Sequence, residues 1–407
     1  MQTYQLCYIY ARIISIFGRY TILETVEHIF SLAGLGIALF LFAGCGHVQR
    51  QGDTSTGTGI VIHSEKASFY IDTLHTGLEN PWGMTWLPEG RFLVTERKGE
   101  IWIFDNDQYT GKKLSGFPDV YQRGQGGLLD IQLHPNYAET GWIYVTYAKP
   151  GKDGGSTALM RFQLIDNQID HIETIYQTLP LSAAGIHFGS RITFDKRGYL
   201  YFSTGERGIK ENAQDLANDM GKIHRLHDDG RIPTDNPFAN QPGAKPSIWS
   251  YGHRNVQGLT YDAANDVLYA TEHGPRGGDE LNIIDRGKNY GWPSITYGID
   301  YSGAIISELT EREGMEQPIH YWTPSIATCG LLYYTGDRYP GWKSNLFTGA
   351  LAGRHMTRIE VINERYIDEE KLLQNIGRVR NIAQSPDGLI YVLTEDPGMV
   401  LKLIPMD

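Results

Sequence analysis

Arg254 and Asn255 set a fixed cation beside a planar amide within Tyr251-Gly252-His253-Arg254-Asn255-Val256-Gln257-Gly258-Leu259. A guanidinium presents a fork of N–H donors that matches a carboxylate with two bonds. Downstream comes Glu272-His273-Gly274-Pro275-Arg276-Gly277-Gly278-Asp279-Glu280, where the backbone carbonyls of a Gly-Pro turn stand near two carboxylates. That set suits a hard, oxygen-seeking cation such as calcium. An anionic ligand bridged to calcium would satisfy both segments. The plain alternative is a turn cap at Arg254 and Asn255, with solvated loop charges at Asp279 and Glu280. The stretch closes on Asn289-Tyr290-Gly291-Trp292-Pro293 and Asp300, and two strand-like pieces, 260–271 and 281–284, separate its loops.

Three other loops carry chemistry-bearing side chains. Gln122-Arg123-Gly124-Gln125-Gly126-Gly127-Leu128 reads equally well as a glycine turn or a binding loop. In Gly185-Ile186-His187-Phe188-Gly189-Ser190-Arg191 a histidine sits between glycines at a loop-to-strand junction. A lone histidine is more often structural, yet imidazole is the commonest proton acceptor near neutral pH. Gly377-Arg378-Val379-Arg380 places two arginines at i and i+2, on one face of an extended chain. Arg254, Arg378 and Arg380 aimed at one channel would hold a multiply carboxylated ligand. His224 and His227 lack zinc-type spacing to a cysteine or acidic pair. The sequence has no Gly-x-Ser-x-Gly elbow, no phosphate loop and no dinucleotide fingerprint.

These loops need a scaffold, and the chain supplies a recurring one. A turn with Gly, Asp or Asn, then alternating apolar and aromatic residues, then a polar stop appears as Pro88 to Glu96, Gly141 to Tyr147 and Asp195 to Thr204. It returns as Asn265 to Thr271, Lys343 to Thr348 and Pro386 to Thr394. About six copies at roughly 45- to 80-residue spacing match four-stranded propeller blades. The expected fold is an all-β six-bladed β-propeller over 67–407, with a pair of sandwiches as the alternative. Residues 399–403 are expected to complete the sheet that begins near 68–74, and the 212–238 insertion to wall one side of a pocket.

A net charge of −11 argues against nucleic acid as a partner. At the N-terminus an uncharged, mostly apolar run from Ile29 to Gly44 ends in Leu41-Phe42-Ala43-Gly44-Cys45. Such a run, about 15 residues, is short for a membrane span and suits a signal segment. The expectation is an export segment at 1–44 and a lipidated, flexible tether at 45–66 anchored on Cys45, an uncleaved anchor being the alternative. The globular part is then exported, as a periplasmic or cell-surface lipoprotein. Cys329 is left without a disulfide partner among the 3 cysteines.

Taken together, the Tyr251 to Leu259 segment, His187 with Gly189 and Arg191, Gly274-Pro275 with Asp279-Glu280, Asn289 to Pro293, and Gly377 to Arg380 resemble the soluble quinoprotein glucose dehydrogenase family, in its aldose sugar dehydrogenase branch. The resemblance implies a propeller that binds pyrroloquinoline quinone (PQQ), a tricarboxylated redox cofactor, and calcium. It implies His187 as the base that takes the proton of a sugar's anomeric hydroxyl, and Arg254 as the group that polarises the quinone oxygen. Gln125, Arg254, Asn255, Arg378 and Arg380 are implied as cofactor ligands. Gly274 and Pro275 are implied as carbonyl ligands of a catalytic calcium, and Glu280, Tyr290 and Asp300 as ligands of a structural one. Electrons would pass to an external acceptor, a quinone or a cytochrome. Two positions depart from the pattern: Ile186 stands where the glucose enzyme has an aspartate, and a cofactor-binding lysine has no counterpart near Leu351-Ala352-Gly353, where only Arg354 is close.

Two readings from other classes remain. One is a lipid-anchored propeller that serves as a binding or assembly module without catalysis. The other is a calcium-dependent lactone hydrolase, which calls for several carboxylates around a channel metal where this sequence has arginines.

Overall fold

A computed structural model describes residues 61–406. The expected export segment at 1–44, Cys45 and most of the expected tether lie outside the described residues. Helix is confined, among those residues, to Tyr137–Thr140 and a 3-10 turn at Lys210–Ala213. The rest of the regular structure is six antiparallel sheets: five of four strands, spanning 81–114, 128–177, 192–251, 256–322 and 328–372, and one of five strands. The first strands of the sheets, Pro81–Trp86, Leu128–Leu133, Ile192–Phe194, Val256–Asp262, Thr328–Tyr333 and Val379–Gln384, pack side by side in a closed ring. This is a six-bladed β-propeller.

Each recurrence in the sequence is the second strand of a blade: Arg91–Glu96, Trp142–Gly151, Leu200–Ser203, Val267–Glu272, Leu346–Ala350 and Ile390–Glu395. Second strands are flanked by strands on both sides and by blades on both faces, so nearly every residue in them is buried. That environment selects an apolar run with a hydroxyl at its end. The hydroxyl has a task in several blades. Thr95 Oγ1 donates to the Leu129 carbonyl at 2.6 Å, Thr146 Oγ1 to the Ser190 carbonyl at 2.7 Å, and Ser203 Oγ to the Val256 carbonyl at 3.1 Å, each stitching one blade to the next.

The ring closes as expected, with Ser68–Thr76 pairing antiparallel with Gly398–Pro405. Three differences stand out. Val61–His63 pairs with Ser68 to Tyr70, so the sheet reaches into the stretch assigned to the tether. The piece read as 260–271 is two strands, Val256–Asp262 and Val267–Glu272, because Asp262 Oδ1 accepts the Ala264 and Asn265 N–H groups and turns the chain. The insertion at 212–238 packs on its own blade and the next rather than on the central cavity: the Asp235 carboxylate meets Arg225, its carbonyl meets Arg286 of the fourth blade, and Gln214 Nε2 donates to the Trp292 carbonyl at 2.7 Å.

Arg191, 3% exposed and placed just before the third blade, ties the hub together. Its guanidinium reaches Asp130 Oδ1 (3.2 Å), the Gln257 carbonyl (2.8 Å), Cys329 Sγ (3.5 Å) and the Arg380 carbonyl (2.8 Å). It also lies 3.9 Å from the Trp82 ring centroid. Those five partners belong to the five other blades, so one side chain contacts the whole ring.

Candidate active site

Above Arg191 the loops that lead into the inner strands and those that leave the second strands enclose a cavity of about 430 Å³, walled by Trp82, Leu129, Phe188 and Leu351 and by a polar set of Gln125, Asn255, Gln257, His273, Arg97, Arg378, Arg380 and Glu395. The volume falls in the range of small-molecule sites. Four of the cofactor residues expected from the sequence, Gln125, Asn255, Arg378 and Arg380, are therefore in one wall, although they come from the second, fourth and sixth blades.

His187 stands at the edge of this cavity with φ 55°, a left-handed conformation that the flanking chain enforces. Gly205 makes room for it, since a Cβ there would lie 2.2 Å from the His187 carbonyl oxygen. Gln125 Oε1 accepts the His187 N–H at 2.8 Å, and Asn255 Oδ1 accepts the Gly189 N–H at 3.1 Å, so two of the expected cofactor residues also hold the histidine loop. His187 Nδ1 lies 2.5 Å from Glu206 Oε1. Burial lowers the His187 pKa; the Glu206 hydrogen bond opposes that, and Arg254 and Arg207 push it lower still. The imidazole is thus neutral near pH 7, with Nδ1–H held by Glu206 and Nε2 left as the basic nitrogen. Sequence reasoning missed Glu206. Its one local signal is the glycine before it, at the end of the third blade's second strand.

Arg380, 8% exposed, donates to Glu395 Oε1 (2.7 Å), Gln257 Oε1 (3.0 Å) and Cys329 Sγ (3.1 Å). Arg378 lies 3.5 Å from Glu395 Oε2 and donates to the Leu351 carbonyl at 3.2 Å. Burial opposes ionisation of Glu395, but Arg380, Arg97 and Arg378 together hold its carboxyl below the ordinary range. Arg97 was not singled out from the sequence. Arg354 does not enter the cavity; its guanidinium is tied to Asp396 at 3.1 Å on the surface.

Arg254 is 6% exposed and its Nη1 donates to the carbonyls of His273 (3.0 Å) and Gly274 (2.9 Å). The Gly274 carbonyl expected to hold calcium therefore already accepts a hydrogen bond here, leaving one of its two lone pairs for a cation. Below it is an enclosed space of about 10 Å³, lined in part by Glu272, Gly274, Glu280, Tyr290 and Thr296, about the size of one water or ion. Glu272 and Glu280 face one another across neighbouring strands. Desolvation, with the Glu272 carboxylate beside it, pushes the Glu280 carboxyl up to about 8. Two carboxylates sharing one enclosed space are a donor set that a calcium ion would neutralise; Tyr290 lines the same space, but its hydroxyl donates to the Ile283 carbonyl at 2.5 Å and accepts the Asp285 N–H at 2.8 Å. Asp300 does not line it: its side chain turns to Ser302 (2.9 Å) and Lys210 (3.3 Å), away from that space. Pro275 lines neither cavity. Among the described residues there is no cluster of three or more His, Cys, Asp or Glu side chains that could hold a metal by themselves.

Ser250 Oγ lies 2.8 Å from His253 Nε2, and His253 Nδ1 lies 2.9 Å from Glu272 Oε1, the bonding order of a hydrolase triad. Ser250 and His253 are both fully buried, so the chain of bonds braces the Glu272 carboxylate rather than attacking a substrate.

Residues 78–402 match the family model described as Glucose / Sorbosone dehydrogenase. The chain belongs to that family, a family of sugar oxidoreductases. It is 40% identical to the aldose sugar dehydrogenase YliI of Escherichia coli over 347 residues, covering 83% of this chain and 94% of that protein. The fold is similar to the crystal structure of the soluble aldose sugar dehydrogenase from Escherichia coli in the apo-form, with a TM-score of 0.80 and 38% identity over 83% of this chain and 100% of that one. It is also similar to the PQQ-bound form of aldose sugar dehydrogenase from Streptomyces coelicolor, with a TM-score of 0.71 and 29% identity over 84% of this chain and 99% of that one.

Proposed function

We propose that this chain is a PQQ- and calcium-dependent dehydrogenase that oxidises aldoses at the anomeric hydroxyl to the lactone and hands the electrons to an external acceptor. The observation that carries this reading is a neutral histidine, paired with Glu206, at the mouth of a cavity whose wall holds Arg378 and Arg380. The cavity's excess of guanidinium over carboxylate, with a buried Arg97 Nε that has no partner, fits a multiply charged anion such as the tricarboxylated quinone. When bound, that group would supply the two-electron acceptor. His187 Nε2 takes the proton of the anomeric hydroxyl as hydride leaves the same carbon. Glu206 fixes the tautomer and stabilises the imidazolium that forms. Arg254, desolvated and directed by the His273 and Gly274 carbonyls, places positive charge where negative charge develops on the acceptor. Ile186, 41% exposed beside His187, offers the sugar an apolar contact in place of a carboxylate, which favours a broad aldose range over tight recognition of one sugar.

The export segment and the cysteine at 45 extend the proposal to a lipid-anchored enzyme facing the periplasm or the cell surface, with a quinone or cytochrome as the acceptor. A binding module without catalysis is the competing reading, but a scaffold has no need of the His187–Glu206 pair. Dye reduction by the purified protein is expected with an aldose only when PQQ and calcium are both supplied, and removal of calcium by a chelator is expected to abolish it. Turnover with neither added to a stripped protein, or none with both, would overturn the proposal.

Glu206→Gln tests the pairing separately. With the carboxylate gone, the His187 pKa loses its main upward influence, so the acid limb of the kcat/KM profile is expected to move to lower pH. The plateau rate is expected to fall by about 10²-fold or more. An acid limb that stays in place would mean that the titrating group is not His187.

A further inference from the structure

Arg97 follows the second strand of the first blade, and the chain grips it by its backbone. Its N–H donates to the Asn80 carbonyl at 3.3 Å, and its carbonyl accepts the Leu128 N–H at 3.0 Å from the next blade. Gly127 permits that approach, because a Cβ there would lie 2.1 Å from the Arg97 carbonyl oxygen. The side chain is aimed into the cavity, where Nη1 donates to the Gly124 carbonyl at 3.0 Å and the buried Nε has no partner. Glu395 is the single carboxylate in that wall, and its oxygens already face Arg380 at 2.6 Å and Arg378 at 3.5 Å. Three guanidiniums thus share one carboxylate. Arg97 is held near two like charges and its partial burial is only partly offset; burial, then Arg380 and Arg378, all disfavour its charged form, and Glu395 alone favours it. A half-buried cation whose buried Nε–H stays idle is retained at a cost unless an anion completes it.

We propose that Arg97 is a third cationic ligand of the bound cofactor's carboxylates, acting from the neighbouring first blade together with Arg378 and Arg380 of the sixth. The assignment rests on the cofactor reading above and goes beyond it, since neither the motifs nor the resemblance include this residue. Arg97 touches the anion and takes no part in proton transfer.

The test is a titration of PQQ into the purified full chain with calcium present, read by quenching of tryptophan fluorescence, for which Trp82 in the cavity wall is a built-in reporter. Arg97→Met is expected to raise the dissociation constant by about 10- to 100-fold, the loss of a charge-assisted contact. Arg97→Gln, which keeps a donor for the Gly124 carbonyl and removes only the charge, is expected to give a similar loss and carries the test if the methionine variant does not fold. The thermal midpoint without PQQ is expected to be unchanged or higher in both variants, whereas a purely structural Arg97 would lower it. PQQ affinity within twofold of wild type in either folded variant overturns the assignment and leaves the cofactor reading standing. Absence of binding to the wild-type chain overturns that reading, and this assignment with it.

Discussion

His187→Gln is expected to lower kcat/KM for an aldose by about 10²- to 10⁴-fold with PQQ still bound at near wild-type affinity. The reason is the geometry around the ring. Glu206 at 2.5 Å occupies Nδ1, so Nε2 is the one nitrogen free to accept a proton. Glutamine approximates the size of histidine and can still donate to Glu206, but an amide has no basic lone pair at that position. The cofactor contacts assigned to Arg378 and Arg380 come from the sixth blade and do not pass through this side chain, so binding and turnover separate. Stopped-flow reduction of the bound quinone reads the chemical step directly. A single-turnover rate near that of wild type would show that the proton goes elsewhere, and His273, which lines the same cavity with a buried Nε2 lacking a partner, would be the next histidine to replace.

The second large effect is expected in stability. Arg191→Met should destabilise the chain by about 3–5 kcal/mol, because it leaves the Asp130 carboxylate buried without its cation. Asp130, 2% exposed, has its pKa raised by burial, with Arg191 as the strongest opposing charge. Loss of the guanidinium also strips donors from the carbonyls of Gln257 and Arg380, and from Trp82 the cation stacked on its ring. Urea unfolding measures the change. The paired Asp130→Asn, Arg191→Met variant should recover part of it, since the uncompensated charge is then gone. A loss below about 1 kcal/mol in the single variant would mean that the ring holds without its hub and that the blade-to-blade hydroxyl bonds carry the closure. PQQ affinity should drop in the same variant, because Trp82, Gln257 and Arg380 form the cavity floor that Arg191 supports.

The two experiments probe different layers of one design. The loops that lead into the inner strands carry the chemistry, and the residue one step before the third blade locks those strands together. His187 and Arg191 are four residues apart, so the catalytic loop is anchored directly to the element that unites all six blades. That proximity explains how a left-handed histidine is held in place: Ser190 and Gly189 beside it also take positive φ, and the strand after Arg191 begins at once.

Much of the scaffold was legible in the chain itself. The apolar, hydroxyl-terminated recurrences mark second strands, which strands and blades cover on every side, and burial writes a local pattern. The motifs around His187, Arg254-Asn255 and Arg378-Val379-Arg380 were legible for a related reason: each is a short polar run that leads straight into an apolar inner strand. Partners at a distance were not legible. Glu206 lies on the loop that leaves the following strand, Arg97 on another blade, and Glu272 opposite Glu280 across a strand pair, and nothing in their own neighbourhoods names the group each meets. Asp300 illustrates the converse, since the family resemblance implied a metal ligand there and its turn instead directs the carboxylate to Ser302 and Lys210. The sequence by itself determined the blade count, the closure of the ring by its two ends and the loops that carry polar groups, because periodic burial is local. Only the tertiary structure decided which of those groups share a cavity, because charge pairing and desolvation depend on closing the ring and bringing residues such as Arg191 and Arg380, 189 positions apart, to within a hydrogen bond.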